Sequence, residues 1–188
     1  MYQKRWALFV VLVWVAGIYS VNITTDDYAR LMTGEIMVFD AVNQDGVDGV
    51  KVFFTVEGTK ENIWQTITDY NHFNQIFGQI DMKVIHEDEN GARVRASLFN
   101  YEYILYHKYV DHGKKMTWRR ESGDLNVVSG SWVIESTADP KVQLVLYESY
   151  IDAGNRFGNW LAKWGRENRG ADTAKKMRHH VEKLSKEG

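Results

Sequence analysis

Apolar and polar residues alternate through much of the chain, as they do in β-strands that bury one face. The alternation is clearest at Arg93, Val94 and Arg95. Turn sequences rich in Gly, Asn and Asp separate these runs, and Asn90-Gly91 is a strong hairpin signal. The pattern predicts strands over residues 35–39, 50–57, 81–86, 92–100, 101–110, 115–121, 125–135 and 142–151.

Helical spacing of apolar residues appears in two places. After residue 58 a short helix is predicted with Thr59 as its N-cap, followed by a second short helix that carries Phe73, Ile76 and Phe77. Near the C-terminus, apolar residues recur every three or four positions over residues 156–186. This last segment predicts one long helix, and Gly165 in its first half is a plausible place for a kink.

The first twenty residues have the pattern of a targeting segment. Lys4 and Arg5 precede an apolar run from Trp6 to Ile18, which is the length of a secretory signal core and short for a membrane span. We therefore predict a signal peptide or an uncleaved N-terminal anchor at residues 1–20, a polar linker at 21–33 and one domain at 34–186. The corresponding location is periplasmic or secreted.

The amino-acid composition limits the kinds of site and partner that the chain can have. The 188 residues include no Cys, so disulfides and thiolate metal sites are excluded. A formal net charge of −2 gives no basic footprint and argues against a nucleic-acid partner. The 7 Trp, 10 Tyr and 8 Phe supply enough aromatic surface to line a ligand cavity.

Three stretches carry a resemblance to a known superfamily. Residues 53–70 read FFTVEGTKENIWQTITDY, with a strand, a helix containing Trp64 and a Thr-Asp-Tyr step. Gly130-Ser131-Trp132 is similar to the Gly-x-Trp opening of a late strand, and Leu146-Tyr147 precedes the long helix. In these stretches the chain resembles the START-like, or polyketide cyclase and Bet v 1-like (SRPBCC), superfamily.

The resemblance implies a fold and a range of functions. The fold is α+β of the helix-grip type, in which a curved antiparallel sheet of about seven strands wraps around a long C-terminal helix. Two short helices follow the first main strand. Members of the superfamily include lipid carriers, cyclases, hormone receptors and chaperone cofactors, so the resemblance specifies the fold better than the function.

A cavity between sheet and helix would be lined by aromatic side chains. The predicted lining residues are Phe73, Phe77, Tyr103, Trp118, Trp132, Tyr147, Trp160 and Trp164. Each of them could instead pack the core. His107 and Glu148 are candidate polar groups that would fix a ligand hydroxyl, but apolar residues occupy both faces of their strands, so alternation does not decide where either points.

No catalytic residue, cofactor or metal site is predicted, because the sequence has no nucleophile elbow, no phosphate-binding glycine loop and no convincing ligand cluster. The leading interpretation is a carrier of a lipid-like or other apolar small molecule, with transient membrane contact through basic side chains. A cyclase or aromatase type of enzyme is the first alternative. A protein-interaction module with a vestigial cavity is the second.

Overall fold

The computed structural model describes residues 23–78 and 80–187, and the side chains of residues 156–169 and 187 are outside that description. The predicted targeting segment at residues 1–20 therefore lies outside the described residues. The helices are α1 (Thr25–Met32), α2 (Lys60–Thr68), α3 (Phe73–Phe77) and α4 (Arg156–Glu187), and a 3-10 turn (Tyr70–His72) precedes α3.

Eight strands form one antiparallel sheet in the order β1-β2-β8-β7-β6-β5-β4-β3. They are β1 (Met37–Val42), β2 (Asp48–Glu57), β3 (Ile80–Asp88), β4 (Gly91–Leu98), β5 (Tyr101–Asp111), β6 (Lys115–Gly123), β7 (Val127–Ser136) and β8 (Val142–Asp152). The sheet is curved and unclosed, and β1 and β3 are its two edges. The predicted α+β helix-grip fold is confirmed.

The local signals in the sequence account for these elements. The Thr59 hydroxyl accepts a hydrogen bond from the Asn62 backbone N–H, at 3.1 Å, and begins α2 as predicted. Tight turns at Glu89-Asn90 and at Phe99-Asn100 join β3 to β4 and β4 to β5. Short connections of this kind leave consecutive strands as antiparallel neighbours.

The sheet has an inner face, which is turned toward α4, and an outer face. Val52 and Phe54 of β2 lie on the inner face in the main hydrophobic core, together with Ala174, Met177 and Val181 of α4. All five are fully buried or nearly so. Burial of this continuous apolar surface stabilises the packing of α4 across the sheet.

Polar contacts fix the second half of α4 in place. The Lys176 ammonium donates a hydrogen bond to the Phe77 carbonyl at the end of α3, at 2.9 Å. The Arg178 guanidinium donates to the carbonyls of Thr55 and Gly34, at 2.6 and 2.7 Å. These hydrogen bonds join α4 to the end of α3, to β2 and to the segment that precedes β1.

A helix lies on the outer face, within the residues 21–33 that the sequence predicted to be a polar linker. Residues 25–32 form α1, whose N-cap Thr24 exchanges hydrogen bonds with Asp27 in a capping box. Leu31 of α1 is fully buried against Phe53 and Met37. The helix thus covers part of the outer face of β1 and β2 and forms a second, smaller apolar cluster.

Candidate ligand-binding cavity

A cavity of about 170 Å³ lies between the inner face of the sheet, α3 and α4. Its walls are mainly apolar, and the described lining residues include no Asp, Glu, Lys or Arg. The space is somewhat larger than a buried cavity of about 150 Å³ that is known to hold benzene. It is smaller than the roughly 300–1,000 Å³ typical of sites for drug-sized ligands.

Aromatic side chains form a continuous cluster along one side of this cavity. Phe77 of α3 lies 6.2 Å from Trp132 of β7, and Trp132 lies 4.4 Å from Tyr147 of β8, measured between ring centroids. Tyr147 stacks on Trp118 of β6 at 5.9 Å, and Trp118 stacks on His107 of β5 at 6.0 Å. The cluster therefore connects five elements of the fold through rings that also face the cavity.

Gly130 explains why a glycine stands two residues before Trp132. A Cβ atom at Gly130 would collide with the Trp118 indole and with the Glu148 carbonyl oxygen. The absence of a side chain lets the Trp118 ring lie flat over β7 and reach the cavity. The Gly-x-Trp motif is thus a packing requirement of two tryptophans on neighbouring strands.

Seven of the predicted site residues line the cavity: Phe73, Phe77, Tyr103, His107, Trp118, Trp132 and Tyr147. Their role in ligand binding stays a prediction. The predicted lining residues Trp160 and Trp164 lie in the part of α4 whose side chains are outside the described residues.

Glu148 is placed differently from the expectation that it faces a cavity. Because Tyr147 points inward, the next residue of β8 points to the outer face. There the Glu148 carboxylate forms an ion pair with the Lys51 ammonium at 2.9 Å and accepts a hydrogen bond from the Ser131 hydroxyl at 3.3 Å. The structure corrects the assignment of Glu148 to the ligand site, since its carboxylate is used in a buried ion pair on the other side of the sheet.

The polar side chains described in the cavity wall carry no charge at neutral pH, and His107 and Tyr103 are buried. Burial lowers the pKa of His107 to about 3, so its imidazole is neutral at pH 7. Burial also raises the pKa of the Tyr103 phenol, which therefore stays protonated. Ser149 and Thr173 add hydroxyl groups to the wall. A site of this kind favours apolar ligands that need few hydrogen bonds.

Sequence reasoning missed the residues at one end of the cavity. Phe99 lines the wall although it is 60% exposed, and Leu98 and Tyr101 flank it. Phe99 has φ +53°, the only positive φ among the described non-glycine residues. The signal was available in the sequence, because a Phe stood in a two-residue hairpin turn where Gly, Asn or Asp is usual.

The described residues also limit the kinds of site that this part of the chain contains. No group of three or more His, Asp or Glu side chains is arranged to hold a metal ion within the described part of the chain. Across the same residues, no helix has the length and hydrophobicity that a membrane span requires.

Solved structures provide the comparison that decides the fold. A STAR-related lipid transfer protein from Xanthomonas axonopodis is similar over 78% of this chain and 93% of its own, with a TM-score of 0.63 and 15% identity. A START superfamily protein from Mycobacterium smegmatis covers 72% of this chain and 98% of its own, with a TM-score of 0.60 and 16% identity. This chain has the START-like fold.

The START-like fold extends to enzymes as well as to lipid transfer proteins. The Zhui aromatase/cyclase from a Streptomyces species is similar over 78% of this chain and 92% of its own, with a TM-score of 0.53 and 12% identity. No family model and no curated protein matches the sequence. At these identities the comparisons establish the fold alone, so the function has to be argued from the cavity.

Proposed function

We propose that this protein binds a lipid-like or other apolar small molecule in its internal cavity and carries it outside the cytoplasm. The observation that supports this proposal is the apolar cavity walled by the aromatic cluster, in a fold that the STAR-related lipid transfer protein shares. An exported carrier needs no reaction, because apolar molecules cross an aqueous space poorly without a protein.

The size of the cavity limits what it holds without rearrangement. About 170 Å³ accommodates a single ring system or a short acyl segment. A longer lipid chain requires the walls to move, and the rings of Phe73 and Phe77 on the short helix α3 are placed to do so. We therefore expect the ligand to be either a compact molecule or a flexible chain of which a short segment enters the cavity.

Mass spectrometry of organic extracts from the purified protein tests the binding proposal. We expect a co-purifying apolar compound that is absent from extracts of a Leu98→Asp variant, because a carboxylate at this half-buried wall position would disfavour an apolar ligand. Quenching of tryptophan fluorescence on adding the recovered compound back, reduced in a Trp118→Phe variant, would support binding inside the cavity. Turnover of a polyketide-like chain would favour the enzyme alternative, and an empty, unreactive protein would favour the interaction module.

Export is a separate proposal with its own test. Residues 1–20 have the charge and hydrophobicity of a signal segment. Fusing them to a reporter that is active only outside the cytoplasm should give activity, and replacing Lys4, Arg5 and the apolar run by polar residues should abolish it. A reporter that stays inactive with the intact segment would refute export while leaving the binding proposal standing.

A further inference from the structure

His107 is a buried polar side chain with an unused hydrogen-bonding capacity. It lies on the inner face of β5 and is only 3% exposed. Neither of its ring nitrogens has a hydrogen-bond partner among the described residues. A native protein rarely leaves two buried polar atoms of one side chain unpaired, and such a group calls for an explanation.

The described surroundings of His107 offer its ring nitrogens no hydrogen-bonding group. The Tyr70 ring meets the imidazole edge to face at 4.9 Å, and the Trp118 ring stacks at 6.0 Å. Across the neighbouring strand its partner is Ala92, which offers no polar side chain. The Tyr70 hydroxyl is directed instead to the Tyr109 hydroxyl at 3.3 Å and to the Met116 sulfur at 3.5 Å.

The remaining direction is the cavity, whose wall includes His107. A neutral imidazole has one N–H donor and one nitrogen acceptor. An alcohol or phenol hydroxyl can both donate and accept, so it complements either ring nitrogen. A carboxylate does not suit this site, since no Lys or Arg is among the described lining residues and a desolvated anion without a partner is costly.

We propose that His107 is the polar anchor of the cavity and that the site takes apolar ligands carrying an uncharged hydroxyl, in preference to plain hydrocarbons and to carboxylates. This inference rests on the proposed function, because it assigns the ligand class of the same cavity. The anchor lies deep in the fold, so a bound molecule would enter with its hydroxyl first and with its apolar body directed toward the end of the cavity where Phe99 and Leu98 lie.

Three probes of similar shape separate these classes at pH 7: 2-naphthol, 2-methylnaphthalene and 2-naphthoate. Their dissociation constants are measured by equilibrium dialysis for the full chain and for His107→Leu. We expect His107→Leu to weaken the binding of 2-naphthol about tenfold, the factor that corresponds to 1.4 kcal/mol. The affinity for 2-methylnaphthalene should change less than about twofold, because that probe makes no hydrogen bond. 2-Naphthoate should bind more weakly than 2-naphthol to the unmodified protein.

Matched variants keep the test decisive. Leu105→Met alters the same face of β5 two residues away without removing a polar group. It should change the affinities for both neutral probes by the same factor. His107→Gln retains a donor and an acceptor and should recover part of the preference for 2-naphthol. It also serves if the Leu variant does not fold.

The outcomes distinguish this inference from the proposed function. If His107→Leu weakens the binding of both neutral probes equally, His107 contributes only to the shape of the wall. That result would overturn the inference but would leave the proposal of binding in the cavity intact. 2-Naphthoate binding as tightly as 2-naphthol would also overturn it. If none of the probes binds the unmodified protein and no compound co-purifies, the proposed function itself fails.

Discussion

At the scale of single residues, the two polar side chains singled out by the sequence take opposite positions. His107 faces the cavity and has no hydrogen-bond partner in the described part of the chain, whereas Glu148 is buried on the outer face with Lys51 and Ser131. Both were equally plausible site residues from sequence, because apolar residues flank each of them on both faces of the strand. Their different environments lead to different expectations for substitution.

His107 should make the protein sensitive to mild acid. Burial lowers its pKa from 6.5 to about 3, so between these values the unfolded chain binds a proton that the folded chain does not. The contribution to stability is complete above pH 6.5 and is lost as the pH falls, at about 1.4 kcal/mol per pH unit at most. Urea unfolding from pH 7 to 4 should give a shallower pH dependence for His107→Leu than for the unmodified protein. Parallel curves would contradict the assignment of a buried neutral imidazole.

Glu148→Gln should reduce stability and leave ligand binding unchanged. The substitution keeps the size of the side chain but removes the charge that pairs with the buried Lys51 ammonium. Breaking a buried ion pair on one side costs about 3–5 kcal/mol. Denaturant unfolding measures the loss, and 2-naphthol affinity serves as the control. A weakened affinity with unchanged stability would return Glu148 to the ligand site.

At the scale of elements, the hairpin turn between β4 and β5 and the helix α4 both border the cavity. Leu98 pairs with Tyr101, so only Phe99 and Asn100 form the turn. The positive φ of Phe99 is unfavourable for an L-residue with a large side chain. The exposed Phe99 ring thus lies at one end of the apolar cavity, where we expect it to slow ligand release.

Phe99→Gly should therefore stabilise the fold and weaken ligand retention. Glycine adopts this backbone conformation without strain, and we expect a gain of about 1 kcal/mol in unfolding free energy. Loss of the ring should raise the dissociation rate of 2-naphthol in stopped-flow fluorescence. Val110→Ser, at the far end of β5 and also an exposed apolar residue, should change neither quantity by much. A destabilised Phe99→Gly protein with unaltered release would show that the ring serves packing alone.

Helix α4 should exchange its backbone hydrogens unevenly. Gly158, Gly165 and Gly170 lower the helix propensity of its first half. Its second half holds the anchors Lys176 and Arg178. Amides at residues 155–170 should exchange faster than those at 171–184 in the empty protein and should slow on ligand binding. Equal protection that a ligand leaves unchanged would place the opening elsewhere, for example around residues 71–79.

At the scale of the whole molecule, the sequence predicted the order of the elements well because their signals are local. Turn residues, alternation and helical spacing delimit β3 to β8 and α4 to within a few residues. The faces of β8 could not be predicted, because Leu146 is covered by α1 while Tyr147 faces the cavity. When both faces of a strand are buried, both carry apolar residues, so the sequence no longer shows which face is the inner one. The helix α1 was missed because its residues are mostly polar, although Thr24 and Asp27 have the spacing of a capping box.

Trp132 joins several elements, so its loss should be felt by the whole fold. The ring contacts Phe77 of α3, Trp118 of β6 and Tyr147 of β8, and it is 3% exposed. Trp132→Ala should lower the unfolding free energy by about 3 kcal/mol, the lower end of the usual range, because one side of the ring already borders empty space. The enlarged cavity should also change probe affinity. Denaturant unfolding would measure the loss of stability, and equilibrium dialysis would measure the change in affinity. If neither quantity changed, Trp132 would contribute neither to the stability of the core nor to ligand binding.

The unclosed sheet described above has a consequence for self-association. An open sheet presents unpaired backbone groups along β1 and β3, where a strand of a second molecule could add. Along β3, a bulge between Val84 and His86 interrupts the ladder, and Lys83, Glu87 and Asp88 are exposed. The other edge, β1, is six residues long and has Val38 and Val42 exposed. The β3 edge is therefore a poor template for strand addition, and β1 is the edge at which we expect a strand of a second molecule to add.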